Sequence, residues 1–322
     1  MFAVYAESTS ADDPLSGLVV GERPEPEAPD GWVTVRVRAA ALNHHDYWSL
    51  QGVGLPEKRL PMILGCDAAG TTDDGSEVVV HAVISDPSWT GDETLDPGRS
   101  ILSEQWPGTF ADVVKVPARN VVPKPAGLSF EQAACLPTAW LTAYRMLFTQ
   151  SGLRPGDSVL VQGAGGGVAT AVIVLARAAG LRVFATSRDE GKRKRALDLG
   201  AHDVFETGAR LPQKVDAVME TVGAATWSHS IKALRPGGTL VIVGATSGFT
   251  PESGELNRVF FLQLRIQGST MGTRDELRQL ADFLDLTGSA PLIDRTLPME
   301  QAKDGIAALA AGDIFGKVVF TR

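Results

Sequence analysis

The chain has 322 residues, 44% of them hydrophobic, a formal net charge of −8 and two cysteines. That length exceeds one ordinary core and predicts two domains, while the acidic balance, with no basic stripe, argues against nucleic acid and anionic membranes as partners. Cys66 and Cys135 give no disulfide framework and fit a reducing compartment. The start, Met1 to Glu7, lacks a basic segment followed by an apolar one, and no apolar run could span a bilayer, so a cytoplasmic protein is expected.

In chain order, residues 1–118 read as β-rich. Trp32 to Ala39 alternates apolar and polar residues, and Glu77 to Ala82 is a short apolar run. Pro87, Gly91, Pro97, Gly98, Pro107 and Gly108 mark 85–108 as an irregular lobe. From 119 the pattern alternates strand with helix: strands at 159–162, 182–186, 215–219, 239–243 and 264–268, and helices at 129–149, 166–179, 189–199 and 224–234. After a helix at 274–287, Leu292 to Leu297 and Lys317 to Thr321 turn β-like again. The expected fold is α/β: a doubly wound parallel sheet over 119–287, and a β-rich domain over 1–118 completed by 288–322. Arg265 to Gly268 reads as an apolar sheet edge open to pairing with a second copy.

Val159 to Gln162, then Gly163-Ala164-Gly165-Gly166-Gly167-Val168-Ala169, then Thr170 to Arg177, reads as strand, glycine loop and helix. A pyrophosphate can approach closely only where Cβ atoms are absent, and the helix start offers unpaired N–H groups. The loop departs from the plain G-x-G-x-x-G string: Gly163, Gly165 and Gly166 fit, and Ala169 stands where helix packs on strand. A packing turn is the alternative; the complete strand, loop, helix and strand unit favours a dinucleotide on Gly163, Gly165, Gly166, Gly167 and Val168.

The second strand ends Thr186-Ser187-Arg188, with no acid at its tip to accept from a ribose 2′-hydroxyl. Asp189 and Glu190 follow, and Ser187 with Glu190 has capping-box spacing. A 2′-phosphate would find hydroxyls on Thr186 and Ser187 and positive charge on Arg188 and Lys192, although solvated cations would look the same. NADP(H) is expected rather than NAD(H).

Taken with that loop, Asn43-His44-His45-Asp46, Gly65-Cys66-Asp67-Ala68-Ala69-Gly70, Gly268-Ser269-Thr270-Met271-Gly272 and Gly316-Lys317-Val318-Val319 make the chain resemble the medium-chain dehydrogenase/reductase superfamily along nearly its whole length. It looks most like the zinc-free, quinone-oxidoreductase-like branch. The resemblance implies a GroES-like catalytic domain around a Rossmann domain, a nicotinamide between them, and a homodimer. It also implies cofactor contacts from Thr142, from Val243 and Gly244, and from Met271 and Thr273, with helix packing a competing role for Thr142. The catalytic zinc ligands of the metal-dependent members correspond to Asn43, Cys66 and Thr138, and 82–118 lacks the four cysteines of a structural zinc site. No metal is expected; His44, His45 and His81 could bind one, but packing and surface bonding are their ordinary roles.

Without a Lewis acid, side chains must polarise the acceptor oxygen. Asn43 is the first choice, then Tyr47 and His45, with Asp46 orienting its neighbours; the same turn could equally be a structural corner. A metal-free site suits small electrophilic acceptors that already hold a conjugated carbonyl, namely quinones and α,β-unsaturated carbonyl compounds. Trp48, Trp106 and Phe261 could flatten a cleft for them or simply fill the core. The competing readings are a zinc-free carbonyl or enoyl reductase and a non-enzymatic NADPH-binding scaffold or sensor.

Overall fold

The computed structural model describes residues 1–322 apart from Ala28. It divides into two units, Met1–Leu141 with Met271–Arg322, and Thr142–Thr270.

In the first unit the ten-residue strand Trp32–Ala41 is central. Val35 and Val37 face inward and Arg36 and Arg38 outward, the period of two of a half-covered strand, before Ala39, Ala40 and Ala41 are buried together. It pairs antiparallel with Asp67–Thr72 along one edge, and with Val113–Pro117 and then Lys317–Thr321 along the other. Phe110 and Phe320 meet edge to face inside this unit, with ring centres 5.1 Å apart, where the positive edge of one ring meets the negative face of the other.

The boundaries differ from those expected at 118 and 287. Val121–Pro123 pairs with Glu77–Val80, and the helix Phe130–Ala134 packs on Trp32–Ala41 and Asp67–Thr72, so 119–141 belongs to the first unit. The helix Arg274–Thr287 joins it too, its first turn tied down by the Glu93 carboxylate, which accepts from the Arg274 N–H at 2.6 Å. Strand and helix alternation shows which elements form. The face an element buries decides which unit owns it.

The second unit is a six-stranded parallel sheet. Its order is Asp203–Phe205, Arg182–Thr186, Ser158–Val161, Val215–Glu220, Leu234–Ile242 and Arg265–Gly268. Numbered along the chain this is 3-2-1-4-5-6, the doubly wound order of dinucleotide-binding folds, which reverses beside the strand that leads into the glycine loop. Asp203–Phe205 and the helices Leu256–Phe261 and Ala302–Ala310 were not foreseen; the first is too short for a periodic signal. Arg265–Gly268 is indeed an edge, with all four residues exposed.

His81, just past Glu77–Val80, is 1% exposed; among the described residues neither ring nitrogen has a hydrogen-bond partner, and Nε2 lies 3.6 Å from Glu93 Oε1. Burial, helped by Arg274 and Arg278, pushes its pKa down to about 3. The unfolded chain therefore takes up a proton near pH 6.5 that the folded chain refuses until about pH 3, so stability falls with acidification across that window, by about 1.4 kcal/mol per pH unit at most. Denaturant titrations of His81→Leu should show a flatter dependence between pH 6 and 4 than wild type; identical slopes would refute this account.

Candidate active site

Trp32–Ala41 delivers the chain to Asn43, which caps the helix His44–Leu50. Asp46 closes the cap: its Oδ2 accepts from the Asn43 backbone N–H at 2.8 Å, and its Oδ1 from the Gly65 N–H at 3.1 Å. Gly65 has φ +97°, and a Cβ there would collide with Thr109 and the Phe110 ring. Only glycine brings that N–H to the carboxylate. Asp46 is fully buried and orients its neighbours.

The Asn43 amide is saturated within this unit. Nδ2 donates to the Ala41 carbonyl at 3.2 Å and to Asp67 Oδ2 at 2.8 Å, while Oδ1 accepts from Lys317 Nζ at 2.6 Å. Both N–H groups are occupied, which removes Asn43 as the donor expected to polarise an acceptor oxygen. Lys317, 2% exposed, also donates to the Leu42 carbonyl at 2.6 Å and lies 3.5 Å from Asp67 Oδ2. Burial pushes the Asp67 carboxyl above its usual range, against the opposing pull of Lys317, Asn43 and Thr138.

His45 sits one turn position further on, its side chain 20% exposed. Its Nε2 lies 3.1 Å from Glu104 Oε1 and its Nδ1 3.3 Å from Cys66 Sγ; the thiol itself donates to the Leu102 carbonyl at 3.2 Å. Burial alone would depress the imidazole pKa, but Cys66, Asp46 and Glu104 hold it well above 6.5. Burial also raises the Cys66 thiol. The His45 ring is thus held between a sulfur and a carboxylate, one ring nitrogen facing each. Tyr47 on the same helix is half-buried against the core, with no hydrogen bond to its hydroxyl among the described residues.

In the second unit, the helix Gly167–Ala178 follows the glycine loop with Gly166 as its N-cap. Gly165 has φ +141°, and a Cβ there would lie 3.0 Å from Lys192 Cδ and 3.5 Å from its Nζ. The Lys192 ammonium thus lies against the loop, where phosphate oxygens would gather. Thr186, expected to face a 2′-phosphate, is fully buried instead: its hydroxyl donates to Gln162 Oε1 at 2.6 Å. Ser187 Oγ accepts from the Asp189 N–H at 3.2 Å. The cap of the helix Glu190–Asp198 is Asp189, accepting from the Lys192 N–H at 2.7 Å, not Ser187, because the helix starts later than the spacing suggested. Arg188 is exposed, and Arg193 braces this tip by donating to the Ser187 and Arg188 carbonyls.

Beneath the loop lies a polar network that the sequence reading missed. Glu220, fully buried, accepts from the Val222 and Gly223 N–H groups and from the Thr226 and Ser230 hydroxyls, and Gln162 donates to Ser230 and contacts His229. It fixes the C-terminal ends of the central strands. Thr142 is buried, and the Val243 N–H is bonded to the Glu220 carbonyl, with Gly244 next to Thr221. Met271 and Thr273 fall in the first unit: Met271 packs against Cys66, and the Thr273 oxygen caps Arg274–Thr287. Trp106 tilts against Trp32 at 4.6 Å and packs on the core, Trp48 lies beside His44, and Phe261 is exposed beside Phe260 in the second unit.

Residues 29–126 match the alcohol dehydrogenase GroES-like domain, and 167–285 the zinc-binding dehydrogenase domain. A solved structure of an NAD-dependent alcohol dehydrogenase is 36% identical, with a TM-score of 0.93 and both chains covered over 100% of their lengths. The chain belongs to the medium-chain dehydrogenase/reductase superfamily. An acryloyl-coenzyme A reductase of Sulfurisphaera tokodaii is 29% identical over 95% of this chain and 97% of its own. A crotonyl-CoA carboxylase/reductase solved with NADP shares the fold at 24% identity and a TM-score of 0.90, over 100% of this chain and 94% of its own.

The superfamily's catalytic zinc does not fit this chain at its usual place. Of the three corresponding positions, Asn43 is held by an ammonium 2.6 Å from its oxygen, and Thr138 offers a neutral hydroxyl. A dication there would face Lys317 at close range, with one thiol as its only soft donor.

Proposed function

We propose that the protein is an NADP(H)-dependent oxidoreductase that passes hydride to a quinone or an α,β-unsaturated carbonyl compound without zinc. The observation that supports this reading is the Lys317, Asn43 and Asp67 cluster, a buried ammonium bonded to the amide of Asn43, one of the positions that the family resemblance equates with a zinc ligand. With no Lewis acid to stabilise an alkoxide, an acceptor whose conjugation already spreads the developing charge is favoured. The acryloyl-coenzyme A reductase relative supports the same acceptor class.

When bound, the nicotinamide supplies hydride to the β-carbon or the quinone ring. The chain supplies the rest: the Tyr47 hydroxyl polarises the acceptor oxygen, and His45, set between Cys66 and Glu104, delivers the proton that completes the reduction. The 2′-phosphate preference rests on a strand tip whose nearest acid, Asp189, is committed to capping, and on Arg188 and Lys192 beside it. The same reading includes a homodimer paired through the exposed edge Arg265–Gly268, where Ile266 is open.

A second reading, reduction of plain ketones with NAD(H), is favoured by the NAD-dependent alcohol dehydrogenase relative. Initial rates with NADPH and NADH against crotonyl-CoA, an enal, a quinone, a ketone and a primary alcohol separate the two. The proposal expects NADPH and a conjugated acceptor to lead by at least about tenfold. A lead for NADH with ketones would replace it, and tight NADPH binding without turnover would mark a scaffold or sensor.

Cofactor titrations should show Arg188→Ala weakening NADPH by about 1–2 kcal/mol, roughly 5- to 30-fold, with NADH unchanged. Lys192→Ala, whose ammonium lies against Gly165, should weaken both cofactors. Equal NADPH and NADH affinities in wild type would end the assignment.

A further inference from the structure

We propose that the second unit binds a compact ligand carrying two phosphate groups, in a cavity that shares no lining residue with the glycine loop. The cavity is about 500 Å³, within the range of small-molecule sites, and lies among the loop 208–214, the helix Trp227–Ala233 and the helix Leu256–Phe261. Arg210, Lys214, Lys232 and Arg258 line it, and among the described residues no acid does. The chain as a whole carries a net charge of −8, so four cations from three segments gathered around one hollow run against its average. Like charges at close quarters repel, and a bound polyanion relieves that repulsion.

The walls are already in place. Glu255, which precedes Leu256–Phe261, holds Lys232 Nζ at 3.2 Å through Oε1 and Arg258 Nε at 3.3 Å through Oε2, and Ser228 donates to Oε1 at 2.7 Å. One carboxylate therefore positions two cations and neutralises one. Lys214 donates to the Lys232 carbonyl, near the C-terminal end of its helix, and Arg210 has no hydrogen bond or ion pair among the described residues. Four positive charges against one negative leave a surplus of three. That surplus suits two phosphate groups better than one, because a single phosphate monoester carries about −1.5 to −2 at pH 7.

His229 completes the wall without serving as a ligand. Its Nε2 faces the Ala209 carbonyl at 2.9 Å and must donate to it, which leaves Nδ1 to accept from Gln162 Nε2 at 2.8 Å. This bond and Leu211, buried in the core beneath, pin the loop that carries Arg210 and Lys214. A loop ordered beforehand spares the ligand the entropy of ordering it.

Isothermal titration calorimetry with pyrophosphate as the probe tests the site in the full-length protein saturated with NADPH, so that the glycine loop is filled. The expected result is one equivalent bound, at least about tenfold more tightly than inorganic phosphate, with affinity falling as salt is raised. Arg210→Ala and Arg258→Ala should each weaken pyrophosphate by at least about threefold. The double variant Arg210→Glu/Arg258→Glu should abolish binding while its NADPH affinity, the check on its folding, stays unchanged. No heat at millimolar pyrophosphate, or binding that survives in the double variant, would overturn the site. Equal affinities for pyrophosphate and inorganic phosphate would overturn the two-phosphate ligand. ADP and a hexose bisphosphate, titrated in the same way, separate a nucleotide source from a sugar one: the tighter of the two identifies it.

Discussion

Replacing Lys317 with methionine should destabilise the protein by about 3–5 kcal/mol, the usual cost of breaking a buried ion pair from one side. The ammonium is 2% exposed and serves three acceptors at once, the Leu42 carbonyl, Asn43 Oδ1 and Asp67 Oδ2. Methionine matches the length of the stem and fills the space, so the loss comes from stranded acceptors and an uncompensated carboxylate rather than from a cavity. The double variant Lys317→Met/Asp67→Asn removes that stranded charge and should recover part of the loss. A cycle built from urea unfolding of wild type, both single variants and the double variant should therefore give a coupling of 1 kcal/mol or more, on the order found for contacting groups. Additive single effects would show that Asp67 and Lys317 do not support one another.

The second large effect is catalytic. Tyr47→Phe should lower kcat by roughly 10- to 1,000-fold while leaving NADPH affinity unchanged, as the loss of a single oxyanion donor does. Asn43→Ala should behave differently: its amide is consumed by Ala41, Asp67 and Lys317, so the substitution should reduce stability more than it reduces kcat in the folded fraction. Measuring kcat per folded molecule for both variants distinguishes a donor from a brace. A full kcat in Tyr47→Phe would leave His45 as the polarising group.

The catalytic helix shows how far residue spacing could reach. Asn43, His45, Asp46 and Tyr47 stand together in sequence, so their presence at one turn was legible, and so was the job of Asp46. Which of them has a free donor was not. That depends on Lys317, 274 residues from Asn43, and on Glu104, 59 residues from His45. Lys317 was visible as part of a closing motif, but nothing in its neighbours suggested that it bonds an amide so far away. Glu104 sits in a proline- and glycine-punctuated lobe that carries no periodic signal.

The cofactor loop divides in the same way. Gly163, Gly165 and Gly166 between an apolar strand and a helix identified the turn, because absent Cβ atoms and a helix start are local properties. The fate of the hydroxyls at the next strand tip was not local: the Thr186 hydroxyl is taken inward by Gln162, just past the end of the neighbouring parallel strand Ser158–Val161.

The sequence by itself determined the doubly wound sheet, the return of the C-terminal strands to a β-rich unit, the dinucleotide turn and the superfamily, because hydrophobic period, glycine placement and short motifs act over a few residues. Only the tertiary structure decided where the units divide, which polar groups are already satisfied, and which remain to meet a substrate or an ion. Those outcomes depend on burial and on partners tens to hundreds of residues away, and a buried donor or acceptor takes whichever partner the packing of the sheets brings within 3 Å or so.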